Sequence, residues 1–127
     1  MAKIRIIHTA DWQLGKPFGR FPAEVRAALA EARLDAIDSI AAAASSAGAA
    51  HVIVAGDVFD NAEPGDRVVM QAISRMERAP VTWWLMPGNH DHVRAGGLWS
   101  RVRARAPLNV RVMDTPEPVE MEEGAWL

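Results

Sequence analysis

The sequence has no cysteine and carries almost no net charge. Without cysteine, a disulfide framework, a thiolate zinc site and a cysteine nucleophile are all excluded, which is consistent with a reducing cytoplasm. A formal net charge of -2 gives no global attraction to nucleic acid. A polyanionic substrate would therefore have to be held by a local patch or by bound metal cations.

Long hydrophobic runs and a leader pattern are also missing. The most apolar tract, residues 40–55, is interrupted by serine, glycine and histidine, and it falls short of the roughly 20 apolar residues that a membrane span needs. The apolar stretch at residues 4–7 is short, and no small-residue cleavage pattern follows it. We therefore expect no signal peptide and no membrane segment.

The remaining composition is that of a globular protein. Half of the residues are apolar and 24% are charged, which is far from the composition of disordered chains. A chain of 127 residues has room for one hydrophobic core. We therefore expect one folded domain.

Patterns typical of strands and helices alternate along the chain. Short apolar runs predict strands at residues 3–8, 52–55, 81–86 and 108–113. Helical periodicity predicts helices at residues 23–47, 66–78 and 97–106, and Gly48 supplies the stop of the first. Residues 119–127 look rich in strand. The apolar residues of the first helix indicate one face, formed by Val25, Leu29, Ala32, Ala36, Ile40, Ala43 and Ala47.

This alternation predicts an α/β fold with a parallel sheet built from right-handed crossovers, in which the strands are buried on both faces. The sequence leaves the order of the strands open. In open sheets of this kind, ligands bind beyond the carboxyl ends of the strands. The loops that follow the strands are therefore the places to look for function.

Three of these loops carry clusters of polar residues. Asp11 and Gln13 follow the first strand, Asp57 follows the second, and residues 89–92 (Asn-His-Asp-His) follow the third. Taken singly, the first two clusters are also explained by ordinary turn or helix-cap chemistry, while the third is the strongest signal. Taken together, they offer carboxylate and amide oxygens, which suit hard divalent cations.

The order Asp-x-Gln, Gly-Asp-x-x-Asp and Gly-Asn-His-Asp resembles the calcineurin-like metallophosphoesterase superfamily. Within it, residues 7–15 and 56–60 are similar to the SbcD-type exonucleases of double-strand-break repair. Ser/Thr protein phosphatases carry Arg-Gly and Glu where this chain has Asn61-Ala62 and Asp91, so that branch is disfavoured. The resemblance implies a β-sandwich flanked by helices, in four layers, of which this chain would hold mainly the first βαβαβ half.

The resemblance also implies roles for the clustered residues. Asp11 and Gln13 would hold one metal ion, Asp57 would bridge two ions, and Asn89 would hold the second. Mn²⁺ is the expected ion, with Mg²⁺ as the alternative. His90 and Asp91 would form the catalytic pair.

In that pair, His90 would act as a general acid or stabilise developing charge. Asp91 would orient the imidazole of His90.

Two departures from the family pattern limit these expectations. Gln13 stands where most of the superfamily has histidine, and the downstream histidine and Gly-His-x-His motif are absent, since the only histidines are His8, His51, His90 and His92. We therefore expect residues 1–127 to be the N-terminal part of a nuclease domain, truncated, with an incomplete metal site and little activity alone. For His8 and His51, a hydrogen-bonded structural role is the expected one.

The leading functional hypothesis is a metal-dependent phosphodiesterase that acts on DNA ends. The resemblance implies an SbcC-type ATPase and a second copy of the full-length chain as partners, and a location in the cytoplasm. Two alternatives stay open: a catalytically incomplete scaffold that binds a protein partner, and a phosphoesterase that acts on another phosphate ester. A Rossmann-type nucleotide binder is disfavoured because no Gly-x-Gly-x-x-Gly turn follows the first strand.

Overall fold

The computed structural model describes residues 3–127, in which strands and helices alternate as far as the fourth strand. The elements are β1 (Ile6–Thr9), α1 (Ala23–Ala47), β2 (His51–Ala55), α2 (Asp66–Glu77), β3 (Thr82–Met86), α3 (Leu98–Arg105), β4 (Val110–Val112), β5 (Glu120–Glu122) and β6 (Ala125–Trp126). The predicted α/β class is confirmed. Strands β1 and β4 are shorter than predicted, because pairing begins only at Ile6 and covers only three residues of β4.

The first four strands form one parallel sheet in the order β1-β2-β3-β4. Each strand lies beside the next one in sequence, and crossovers between neighbouring parallel strands are right-handed, so the three connecting helices lie on one face. The carboxyl ends of all four strands consequently meet at one edge. The three predicted polar clusters follow β1, β2 and β3 at that edge.

The hydrophobic core lies between this face of the sheet and the helices. The sheet contributes alternate residues such as Val52, Val54, Trp83 and Leu85, all fully buried. The indole N–H of Trp83 donates to the backbone oxygen of Met76 at 3.0 Å, so the polar atom of this large side chain is satisfied inside the core.

The opposite face of the sheet is covered in part by the antiparallel β5–β6 hairpin, which confirms the strand-rich character predicted for residues 119–127. Nε1 of Trp84 donates to Nδ1 of His51 at 3.0 Å, and Nε2 of His51 lies 2.7 Å from Oε1 of Glu122 in β5. An indole nitrogen can only donate, so Nδ1 of His51 is the acceptor and Nε2 carries the proton given to Glu122. The structural role expected for His51 is confirmed.

Strand β1 departs from the expectation that the strands are buried on both faces. Ile6 is 44% exposed and His8 is also exposed, whereas His51, Ile53 and Trp84 on the neighbouring strands are buried. The reason is that β1 is an edge strand, so no strand lies on its other side to help cover Ile6 and His8.

Helix α1 spans the predicted residues but buries a different face. Its buried residues are Leu34, Ile37 and Ala44, while Ala36 and Ala43 of the predicted stripe are exposed. The helix is so rich in alanine that apolar residues occur on every side, and the pattern does not select the packed face. Gly48 ends the helix in the left-handed conformation, as predicted. Within residues 3–127, no helix is both long enough and apolar enough to cross a membrane.

Candidate metal centre

The loops after β1 and β2 are joined by backbone hydrogen bonds that continue beyond the strands. The N–H of Asp11 donates to the oxygen of Gly56 at 3.1 Å, and the N–H of Gln13 donates to the oxygen of Asp57 at 2.9 Å. The N–H of Leu14 then donates to the backbone oxygen of Val58 at 3.0 Å. The two loops are therefore a rigid extension of the sheet, and they bring Asp11 and Gln13 beside Asp57.

Three residues in these loops have a strained backbone. Asp11, Gln13 and Asp57 have φ values of 57°, 47° and 52°, in the left-handed region that residues other than glycine seldom adopt. Such conformations persist only where the surrounding structure enforces them, and they are concentrated at functional sites. All three were predicted from the sequence to be metal ligands, so the strain coincides with the predicted site.

The third loop approaches the second through two glycines. A Cβ atom built on Gly88 would lie 2.2 Å from Oδ1 of Asp57 and 2.5 Å from its backbone nitrogen, far inside van der Waals contact. Gly56, with φ of 93°, faces the Cα of Gly88 from the other side. Position 88 must therefore be glycine for the carboxylate of Asp57 to occupy its place.

The carboxylate of Asp57 is held by His90. The backbone N–H of His90 donates to Oδ1 of Asp57 at 3.0 Å, and Nδ1 of the ring lies 2.8 Å from Oδ2. The backbone N–H of His90 is the largest of the effects that lower the pKa of Asp57. The hydrogen bond to Asp57 in turn raises the pKa of His90, whose side chain is 59% exposed.

Asp91 has a different role from the one expected. Its side chain is fully buried, and its two oxygens accept hydrogen bonds from the backbone N–H groups of Gly88 at 2.6 Å and Phe59 at 3.0 Å. The partner of the His90 ring is Asp57. Asp91 therefore ties the second and third loops together, and the expectation that it orients His90 is corrected.

The predicted ligands fit part of a coordination sphere for a divalent cation. Asp11, Gln13, Asp57 and Asn89 lie on three joined loops and supply carboxylate and amide oxygens, the donor type that Mg²⁺ and Mn²⁺ prefer. Within residues 3–127, no group of three or more His, Cys, Asp or Glu side chains is placed to hold a metal ion. The donor chemistry suits a hard cation, but the carboxylates are few.

Comparison with known families agrees with this geometry. Residues 4–121 match the profile of the calcineurin-like phosphoesterase family, so the match includes all three loops. The chain belongs to this family. The four-stranded parallel sheet is consistent with part of the metallophosphoesterase fold.

Three curated proteins are similar to the chain at low identity. An uncharacterized metallophosphoesterase, YhaO, from Bacillus subtilis is 25% identical, and the SbcD component of the SbcCD nuclease from the same organism is 26% identical; each alignment covers 94% of this chain and 30% of the relative. The DNA double-strand break repair protein Mre11 from Halobacterium salinarum is 29% identical over 91% of this chain and 29% of its own length. The chain thus spans under a third of each of these relatives.

Sequence reasoning assigned no role to several residues that support the three loops. Nε1 of Trp99 donates to the backbone oxygen of Asp91, and Nη1 of Arg33 donates to the backbone oxygen of Trp12 at 2.7 Å. These contacts join residues far apart along the chain, so no local pattern indicates them. Gly88 was also assigned no role, although a glycine beside Asn-His at the end of a strand is a local signal for a close backbone approach.

Proposed function

We propose that this chain forms the first half of a two-metal phosphodiesterase site that acts on DNA ends. The observation that carries the proposal is the meeting of three loops around Asp57, with His90 against its carboxylate and Gly88 leaving room for it. A fold that served only as a scaffold would have no physical need to keep a strained carboxylate, a close glycine and an exposed imidazole together.

The proposed ligands follow the three loops. Asp11 and Gln13 would hold one ion, Asp57 would bridge two, and Asn89 would hold the second. When bound, two divalent ions neutralise phosphate charge and activate water. The amide oxygen that Gln13 offers in place of an imidazole favours Mn²⁺ or Mg²⁺ over Zn²⁺.

His90 is the proposed proton donor to the leaving oxygen. Its ring approaches Asp57 through Nδ1, and its side chain is more than half exposed, so the ring can leave Asp57 when a cation takes the carboxylate. An imidazole titrates near neutral pH, which suits a general acid. The proposed contribution of Asp91 is to hold the loops at the spacing that the site requires.

DNA as the substrate is supported by the relatives that are named as part of a nuclease and as a DNA double-strand break repair protein. On the same ground we propose an SbcC-type ATPase and a second copy of the full-length protein as partners, and the cytoplasm as the location. The relatives are about three times as long as this chain's match to them, so these proposals concern the whole protein. Alone, the chain is expected to bind metal weakly and to hydrolyse little.

The second candidate is a catalytically incomplete scaffold. It is favoured by the few carboxylates at the centre and by Gln13 in place of a histidine, since within the described residues no three His, Cys, Asp or Glu side chains are placed to hold a metal. The two candidates differ in one measurable respect. If the chain serves only as a scaffold, it is expected to show no divalent-cation binding that depends on Asp57.

The test is calorimetric titration of the chain with Mn²⁺, at concentrations up to about 10 mM so that a weak site is filled. We expect weak binding that is lost in Asp57→Asn and kept in Glu117→Gln, an exposed acidic residue used as the matched control. Hydrolysis of an end-labelled DNA duplex under the same conditions should be slow. Equal Mn²⁺ binding by Asp57→Asn and the unmodified chain would contradict the proposal, and rapid hydrolysis by this chain would contradict the expectation of an incomplete site.

A further inference from the structure

A basic and aromatic loop lies directly beside the proposed metal centre. Residues 16–21, here called the Lys16–Phe21 loop, follow the first metal loop without a break, and the N–H of Lys16 donates to the backbone oxygen of Gln13 at 3.3 Å. Together with Asp60, three residues after Asp57, the loop lines a pocket of about 620 Å³. The pocket is therefore formed by residues that directly follow the first two metal loops along the chain.

The loop is held in a defined conformation by its own contacts. Phe18 has a φ of 51°, a strained value for a bulky residue, and its backbone oxygen accepts a hydrogen bond from the N–H of Phe21 at 3.0 Å. The two rings meet edge to face, with centroids 6.4 Å apart. The guanidinium carbon of Arg33 lies 5.1 Å from the centroid of Phe18, and the same side chain is bonded to the backbone of Trp12 in the first metal loop.

These contacts leave an aromatic side chain and two cations facing solvent. Phe21 is 40% exposed, and Lys16 and Arg20 are both exposed. The whole chain has a net charge of -2, so a pair of cations beside the centre is a local feature and does not reflect the overall composition. Asp60, which also lines the pocket, carries the opposite charge.

An exposed aromatic ring flanked by cations is the combination that binds single-stranded nucleic acid. Bases stack on the ring whatever their sequence, while the cations contact the phosphates. Trp12 is not available for this purpose, because it is buried and its indole N–H donates to Thr9. Phe21 is thus the aromatic side chain beside the centre that a base can reach.

We propose that the Lys16–Phe21 loop binds single-stranded DNA next to the metal centre, with a base stacked on Phe21 and phosphates held by Lys16 and Arg20. The proposal rests on the proposed function for the choice of DNA as the ligand. The phosphates contact Lys16 and Arg20, because Asp60 repels phosphate from its own part of the pocket. Such a contact would hold the part of the DNA strand that leads into the site, at a distance from the phosphate that is cleaved.

The test measures the binding of a short fluorescein-labelled oligothymidine to the full chain by fluorescence anisotropy in EDTA. Metal binding and hydrolysis do not enter this measurement, so it stands whether or not the chain binds Mn²⁺. Phe21→Ala is expected to weaken binding about tenfold, and Phe21→Tyr is expected to retain it. Each of Lys16→Ala and Arg20→Ala should lower the slope of log affinity against log salt by about 0.7, the value for one lost phosphate contact on a single strand.

Trp126→Ala is the matched control, because Trp126 is an aromatic residue that is 62% exposed. It lies on the β5–β6 hairpin, whose Glu122 contacts His51 at the end of β2 away from the proposed metal centre. Its affinity should equal that of the unmodified chain. Inorganic polyphosphate, which has no bases, should bind Phe21→Ala as well as it binds the unmodified chain. Equal oligonucleotide binding by Phe21→Ala and Trp126→Ala would overturn the proposal. So would a loss of polyphosphate binding in Phe21→Ala as large as its loss of oligonucleotide binding.

Discussion

Nδ1 of His90 lies 2.8 Å from Oδ2 of Asp57, so the group proposed as a proton donor is bonded to the carboxylate proposed to bridge two cations. The backbone N–H of His90 occupies the other oxygen of the same carboxylate at 3.0 Å. A cation on Oδ2 would compete with the ring of His90 for that oxygen, and the exposure of the ring leaves it free to move away. Metal binding is therefore expected to change the position of His90.

The first prediction concerns the titration of His90 in the metal-free chain. Its pKa should lie above the ordinary value, because the hydrogen bond to Asp57 stabilises the protonated ring. The pKa of Asp57 should lie below its ordinary value, because hydrogen bonds from His90 stabilise the carboxylate, with the backbone N–H of His90 contributing most. An NMR titration in EDTA measures both values.

The signs define a pH window for the stability that the pair contributes. The raised pKa of His90 adds stability that is fully present below its unfolded pKa of about 6.5, and this stability is lost as pH rises through the folded pKa. The lowered pKa of Asp57 adds stability that is present above its unfolded pKa of about 3.9, and this stability is lost as pH falls through the folded pKa. Asp57→Asn should bring the pKa of His90 back toward its ordinary value, and Glu117→Gln should not. An unchanged pKa of His90 in Asp57→Asn would contradict the contact.

The second prediction is that Gly88→Ala removes the Asp57-dependent binding of Mn²⁺. The new methyl group would lie inside the carboxylate and backbone of Asp57, so the second and third loops must separate. Overpacking of this kind typically costs about 1–3 kcal/mol of stability. Calorimetry with Mn²⁺ and urea unfolding measure the two effects.

The matched control is Gly19→Ala. Nothing lies within 4 Å of a Cβ atom at that position, and its φ is outside the left-handed region, so both metal binding and stability should stay close to those of the unmodified chain. A Gly88→Ala chain with normal Mn²⁺ binding would show that the close approach is not needed.

The third prediction is that Asp91→Ala destabilises the chain and loosens the site. The backbone N–H groups of Phe59, which is buried, and of Gly88, which is partly buried, would lose their acceptors, and an unsatisfied buried group costs about 1–3 kcal/mol. Urea unfolding should show a clear drop in midpoint for this variant and little change for Glu117→Gln. If Asp91 acted chiefly by orienting His90, the titration of His90 would change while stability stayed the same.

The fourth prediction is that Gln13→His shifts metal preference toward Zn²⁺. An imidazole nitrogen suits zinc better than an amide oxygen does, and histidine tolerates the left-handed backbone found at this position. Competitive calorimetric titrations with Mn²⁺ and Zn²⁺ measure the preference. Gln71→His, on α2, is the control for the addition of a histidine elsewhere. Unaltered preference in Gln13→His would remove Gln13 from the ligand set.

Much of the fold was predictable because its signals are local. The residues of α1 were predicted from apolar periodicity and from Gly48, which stops the helix through its own backbone conformation. Strands β2 and β3 were predicted because they are buried on both faces and therefore read as unbroken apolar runs. The packed face of α1 was not predictable, since alanine occurs on all sides of the helix and only contact with the sheet selects Leu34 and Ile37.

The sequence by itself determined which chemical groups stand at the carboxyl ends of the strands, because each cluster directly follows an apolar run that can only be a strand. It placed Asp11, Gln13, Asp57 and Asn89 at one edge before the sheet order was known. Tertiary structure alone decided how the groups meet. Asp57 faces His90, and Asp91 turns inward to the N–H groups of Gly88 and Phe59, because backbone donors that are removed from water need acceptors and this carboxylate supplies two.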